Sequence, residues 1–237
     1  MLQLATKFKP DADAPFQTAV DAGLRAAELW TGPDVLELWE ETAARAKRFD
    51  LRYALHFPTR RDLTERHLDA VVALYRALDC RSMTIHQLEF DRYAPDVAHR
   101  ATDVVLAVEN SHLSPEQLQS WAERNRQLTL DAEHVWYLSY PQATLGEAID
   151  VCRELLARHA AKVRHVHLPG YFAGLDEHRP MYCSRDFVFA VLSLLDDVGY
   201  DGLVVSEVDV QFQTPNDLRM DALLFDTWQA DRRKRRG

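Results

Sequence analysis

Residues 104–134, VVLAVENSHLSPEQLQSWAERNRQLTLDAEH, contain one full period of the pattern that decides the fold. Val104–Asn110 is a strand-length apolar run in which Val105, Ala107 and Glu109 alternate with Val104, Leu106 and Val108. Ser114-Pro115-Glu116-Gln117 then supplies an N-cap, a proline at the first helical position and a capping-box glutamine. The helix it starts gives way to a second strand, Leu128–His134, where Thr129 and Asp131 oppose Leu128 and Leu130. In both strands one face is large and apolar, as packing under helices requires. The other is small or polar and carries the ionisable group.

The same period recurs in both directions. Strands are expected at Leu2–Phe8, Leu24–Trp30, Leu51–Phe57, Ser82–Leu88, Val104–Asn110, Leu128–His134, Val163–Leu168 and Leu203–Val208. Thr144 to Glu147 makes a second capping box, and Thr214-Pro215-Asn216-Asp217 a further cap with proline. Gly199 stops the Asp186–Val198 helix. Eight βα units in 237 residues are the arithmetic of a single-domain (β/α)8 TIM barrel. An open doubly wound sheet is the alternative, but it usually has fewer units and a glycine-rich first turn, and neither GxGxxG nor GxxxxGK[ST] occurs. No linker divides the chain, so residues 1–230 form one barrel domain and 231–237 a basic C-terminal tail. That tail, Arg232-Arg233-Lys234-Arg235-Arg236, reads as frayed and solvated rather than as a nucleic-acid or targeting patch.

Composition narrows the setting. Hydrophobic residues make up 47% and charged ones 27%, as in an ordinary globular protein. The balance of 28 basic against 37 acidic residues, net −9, argues against a polyanion partner such as nucleic acid. No apolar run approaches a membrane span, and the start, MLQLATKFKP, lacks a signal-peptide block. Cys80, Cys152 and Cys183 are scattered and share no CxxC spacing, so a reducing, cytoplasmic home is expected.

In such a barrel the chemistry sits at the C-terminal ends of the strands. Those ends carry His56, His86, Glu109, Asp131-Ala132-Glu133-His134, His165 and His167, and Glu207. A lone histidine or aspartate there is more often a cap or a satisfied polar group. Several carboxylates converging on one mouth require a neutralising cation. Oxygen and imidazole donors without thiolate suit Mn²⁺, Mg²⁺, Co²⁺ or Zn²⁺. His67, His99 and His159 fall inside helices and read as surface residues. Lys7 is a general acid or a salt-bridge partner, and Glu28 and Trp30 either line the mouth or do not. Trp136 and Tyr137 either stack on a sugar ring or pack the loop.

The pieces Leu106-Ala107-Val108-Glu109-Asn110, Asp131-Ala132-Glu133-His134, His165-Val166-His167-Leu168, and Gly199-Tyr200-Asp201-Gly202 leading to Val205-Ser206-Glu207 resemble the xylose-isomerase-like barrel superfamily along the whole chain. That superfamily includes sugar isomerases, sugar epimerases and abasic-site endonucleases. The resemblance implies that Glu109, Asp131, His167 and Glu207 bind one divalent metal. It implies that His134 contacts substrate or a second metal, and that His56 and His86 stand where the endonuclease branch binds extra metals or otherwise face the substrate. Asp176-Glu177-His178 resembles that branch's Asp-x-His pair, and Arg179 falls where epimerases place a substrate-contacting arginine. His165 would give buried support. Two departures stand out: Pro169-Gly170 replaces a Lys-Asp pair common among relatives, and few residues remain for a lid. The latter implies an open mouth, a small substrate, or a homo-oligomer in which a partner subunit covers the site.

Three functions follow from the resemblance. The first is an isomerase or epimerase of a free or phosphorylated sugar or hydroxy-keto acid. It would work through a metal-stabilised enediolate, with Glu109 and Glu207 as base and acid and His134 stabilising charge. Phosphate would sit in the loop holding Gly170 and Gly174. The second is a metal-dependent abasic-site endonuclease, opposed by the net charge and the lack of long loops. The third is a metal- or ligand-binding barrel without catalysis.

Overall fold

Eight parallel strands close on themselves in sequence order in the computed structural model, which describes residues 2–172 and 178–236. The strands are β1 (Gln3–Phe8), β2 (Ala26–Trp30), β3 (Arg52–His56), β4 (Met83–His86), β5 (Leu106–Glu109), β6 (Leu128–Asp131), β7 (Val163–His167) and β8 (Leu203–Val205). Around them run α1 (Asp13–Asp21), α2 (Pro33–Glu37), α3 (Trp39–Ala46), α4 (Glu65–Ala77), α5 (Gln87–Arg100), α6 (Pro115–Arg124), the short turn α7 (Ala132–His134), α8 (Leu145–His159), α9 (Arg185–Asp197) and α10 (Pro215–Arg236). The expected (β/α)8 barrel is the fold.

All eight expected strands are present, each shorter than expected. At β4 and β6 the reason is local. Gln87 already opens α5, and the Asp131 carboxylate accepts the backbone N–H of His134 at 2.8 Å, capping the turn that lifts His134 off the strand. β8 ends at Val205, so Glu207 lies beyond it, at φ +44° in the left-handed region. The caps at Ser114 and Thr144 are reciprocal boxes, and the Thr214 hydroxyl accepts from Asp217 N at 3.1 Å. Gly199 adopts φ +73° after α9, where Tyr200 N reaches back to Leu195 O at 2.9 Å.

The two strand faces separate as the alternation requires. Leu29, Leu55, Ile85, Val108, Leu130 and Val166 join the large core between sheet and helices. Inside the barrel, Ala5, Ala26 and Val205 form a small cluster of their own. Above it the interior turns polar, with Thr84 Oγ1 3.1 Å from Thr129 Oγ1 and Thr129 Oγ1 donating to Ala107 O at 3.2 Å. Small residues below and hydroxyls above leave room for ionisable groups at the C-terminal rim.

The basic terminus is not frayed. α10 continues to Arg236, and Arg232 pairs with Asp196 at 2.7 Å and with Asp197, which anchors the helix end on the acidic last turn of α9. Among the described residues no helix is long and apolar enough to cross a membrane.

Candidate metal centre at the barrel mouth

Glu109, at the end of β5, is the hub. It is 2% exposed. Its Oε2 faces Nε2 of His56 at 3.4 Å and Nε2 of His86 at 3.3 Å. Its Oε1 faces Nδ1 of His134 at 3.2 Å and Nδ1 of His167 at 3.9 Å. His56 is oriented by the neighbouring carbonyl: Nδ1 lies 2.9 Å from Phe57 O, which only accepts, so Nδ1 carries a proton and Nε2 is turned to the site.

Asp131 is fully buried beside it, with Oδ2 3.5 Å from His134 Nδ1 and 3.8 Å from His167 Nδ1. His167 Nδ1 also contacts Glu207, whose other oxygen takes the ammonium of Lys7. His178, from the loop after β7, completes the rim. Its Nε2 lies 3.1 Å from Glu133, and its Nδ1 lies 3.1 Å from Glu207 O.

Among the described residues, three donor sets therefore surround the mouth: His56, His86 and Glu109; Glu109, Asp131 and His167; and Asp131, His134 and His178. Glu207 flanks the middle set through His167. Asp176 and Gly174 lie outside the described residues.

The donors fit a divalent cation on two grounds. All are carboxylate oxygens or imidazole nitrogens. Several are also buried without an aligned hydrogen bond: Glu109 Oε2, Asp131 Oδ2, His134 Nδ1, His167 Nδ1 and Glu207 Oε2. These atoms meet only the cluster's own groups, as imidazole–carboxylate contacts, and a shared cation would satisfy them together.

The electrostatics show the same tension. Burial would raise the Glu109 carboxyl, but the charge of His86 and contacts from His134 and His56 hold it well below the usual range. Glu207 is likewise held low against burial by His167 and Lys7. Burial leaves Asp131 raised despite the attraction of His134. His134 is driven up to about 10, with the charge of Asp131 and its contact with Glu109 outweighing burial. Without a cation, the protons of the histidines are what neutralise the carboxylates.

Solved structures superpose on this architecture. A D-tagatose 3-epimerase-like protein matches with a TM-score of 0.74 and 15% identity, over 99% of this chain and all of that one. An L-ribulose 3-epimerase matches at TM-score 0.59 and 18% identity over 100% of this chain and 97% of its own. A Thermus thermophilus protein from crystals soaked in zinc chloride matches at TM-score 0.62 and 19% identity, over 94% and 97%. No protein-family profile and no curated protein sequence matches the chain.

On this barrel scaffold two expected contacts fall elsewhere than at the cluster. Trp136 packs its indole on Tyr171 and Phe187, with centroids at 4.8 and 5.0 Å, and donates Nε1–H to Ala143 O. That packing holds the loop together and uses the ring that stacking on a sugar would need. Arg179 lays its guanidinium over Phe172 and Phe212, and its backbone pairs with Gly170.

Two other residues carry more than their sequence positions suggested. Asn110 clamps Asp131 by both backbone groups, donating to Asp131 O at 2.8 Å and accepting from Asp131 N at 2.7 Å. Glu28 is not at the mouth but buried beneath it, against His165 and His167. Asn110 follows a strand-end glutamate and Glu28 alternates inward with Ala26, but neither signal names a partner. Lys7 acts as a salt-bridge partner, and its ammonium is stabilised because Glu207, Glu28 and Glu109 outweigh burial. Beside Glu207 opens a pocket of about 570 Å³ lined by Lys7, Phe8, Trp30, His178 and Val208.

Proposed function

We propose that this protein is a divalent-metal-dependent isomerase or epimerase of a small sugar, sugar phosphate or hydroxy-keto acid. The observation that carries the reading is that Glu109 and Glu207 both reach Nδ1 of His167, with Asp131 beside it, next to a pocket of about 570 Å³ lined by Glu207. That volume suits one small ligand. Glu109, Asp131, His167 and Glu207 would hold the ion, which when bound supplies Lewis-acid polarisation of a carbonyl. The chain's own groups would do the rest. Glu207, open to the pocket, and Glu109, behind it, are the proton-transferring pair. His134 donates toward developing negative charge on a substrate oxygen, and Trp30 offers an apolar face to the sugar. Likeness to solved epimerases of matching length supports the same reading.

A second reading, three-metal phosphodiester hydrolysis as in the abasic-site endonucleases, is favoured by one observation: three donor sets meet at Glu109 and Asp131. The net charge of −9 weighs against a duplex substrate.

Metal content separates the two. About one ion per chain with turnover in a ketose and aldose screen supports the isomerase. About three ions with cleavage of an abasic duplex replaces it by the nuclease. No bound metal after incubation with each candidate ion would overturn both and leave a barrel without metal chemistry.

A further inference from the structure

Glu28 on β2 is fully buried under the site. Its Oε2 faces two imidazoles, Nε2 of His167 at 3.0 Å and Nε2 of His165 in a closer contact, while Oε1 lies 3.8 Å from Lys7 Nζ. Below, His165 Nδ1 meets Ser82 Oγ at 3.5 Å. Above, His167 Nδ1 faces Glu207, Asp131 and Glu109.

A carboxylate only accepts hydrogen bonds, whereas each imidazole nitrogen either carries a proton or presents a lone pair. The Glu28 carboxylate therefore keeps protons on both Nε2 atoms. In His167, Nδ1 also faces carboxylates and carries a proton until a cation replaces it; with Nε2–H committed downward, only Nδ1 can then offer a lone pair to the cluster. His165 obeys the same rule, its Nδ1 facing the Ser82 hydroxyl. A buried carboxylate persists only when paired and hydrogen-bonded; here the hydrogen bond comes from His167, with the His165 imidazole and the Lys7 ammonium as ion-pair partners.

We propose that Glu28 is a positioning residue: it holds His167 so that Nδ1 faces the Glu109–Asp131–Glu207 cluster, and so sets the site's affinity for a divalent cation. This rests on the metal-site reading above. Glu28, His165 and His167 also have the spacing to hold an ion of their own. Complete burial of all three and the ammonium 3.8 Å away argue against a cation there.

The test is a zinc titration against a competing chelator on the full chain, wild type and Glu28→Gln, with Co²⁺ absorption spectra of both. Glutamine is neutral: with its oxygen turned to the two imidazoles its NH₂ faces the Lys7 ammonium, and with the amide flipped both imidazoles lose their acceptor. The expected result is about 10–100-fold weaker zinc binding with the same number of ions and an altered Co²⁺ spectrum. Affinity within twofold and an unchanged spectrum would overturn the positioning role alone. Loss of one whole ion at otherwise unchanged affinity would make Glu28 a ligand and also overturn it. No zinc binding by the wild type would overturn the metal reading itself. Should the variant not fold, long-range ¹⁵N–¹H spectra of the zinc-loaded wild type decide. His167 protonated on Nε2 and ligated through Nδ1 supports the proposal; ligation through Nε2 ends it.

Discussion

Nδ1 of His134 lies 3.2 Å from Oε1 of Glu109 and 3.5 Å from Oδ2 of Asp131, so an imidazole lifted by the turn after β6 spans carboxylates from two neighbouring strands. Those carboxylates drive His134 up to about 10, so the imidazole is charged at neutral pH. A cation taking Nδ1 must displace that proton. Zinc binding should therefore release protons, and affinity should rise with pH through neutrality. Calorimetry in buffers of different ionisation enthalpy reads this directly. In the isomerase reading His134 keeps its proton and the release comes from Nδ1 of His167; a heat independent of buffer would mean that neither imidazole binds the ion.

Glu109→Gln and Glu207→Gln should each fold and lose turnover by at least about 10²-fold, the usual contribution of a positioned acid or base. Circular dichroism and the rate on whichever sugar emerges from the screen are the two readouts. Full activity in either variant would strip that residue of its proton-transfer role.

The donor sets are separable by mutation. Asp131→Ala with His167→Ala should abolish binding at the shared middle set. His56→Ala with His86→Ala should lower the metal count by one ion if three sets fill, and leave it unchanged if only the middle set does. Plasma mass spectrometry of the three proteins gives the count.

Gly170 occupies a close approach rather than a flexible hinge. A Cβ there would run into Pro180 O and lie 2.8 Å from Pro180 C, across the two backbone bonds joining Gly170 to Arg179. Gly170→Ala should part this bridge and destabilise the protein by about 1–3 kcal/mol. It should also weaken metal binding, because His178 is next along the chain. Urea unfolding and a zinc titration test the two effects; wild-type behaviour in both would mean the bridge does not hold His178.

Asp221 on α10 accepts from Tyr182 N at 3.3 Å and is 1% exposed. Burial pushes its carboxyl up to about 7, well above the ordinary aspartate range. The folded state thus holds this proton more tightly than the unfolded one. Its contribution is present below about pH 4 and is lost as pH rises to about 7, on the order of 4 kcal/mol at most. Asp221→Asn should flatten that slope in melts taken across this range. An identical slope in the variant would assign it to other groups.

Much of the site is legible in the sequence because strand ends follow from period. Glu109, Asp131 and His167 fall at the last position of an alternating run, and that alone points them inward and to one rim. His134 and Glu207 are also expected at strand ends, but the strands stop short of both, and the backbone places them by other means: a capped helical turn for one, a left-handed residue beyond the strand for the other. The basic terminus reads as frayed in the sequence because its stability comes from Asp196 and Asp197, about 35 residues away, which a local charge run does not reveal.

Periodicity, caps and strand order thus lie within the chain's own local chemistry, since alternation and capping act over a few residues. Which carboxylate faces which imidazole does not. Glu28 meets His165 and His167 from β2 across to β7, and Lys7 meets Glu207 from β1 to beyond β8. Those pairings arise only when the barrel closes, because closure brings residues far apart in sequence into a water-free space where each charge must find a partner.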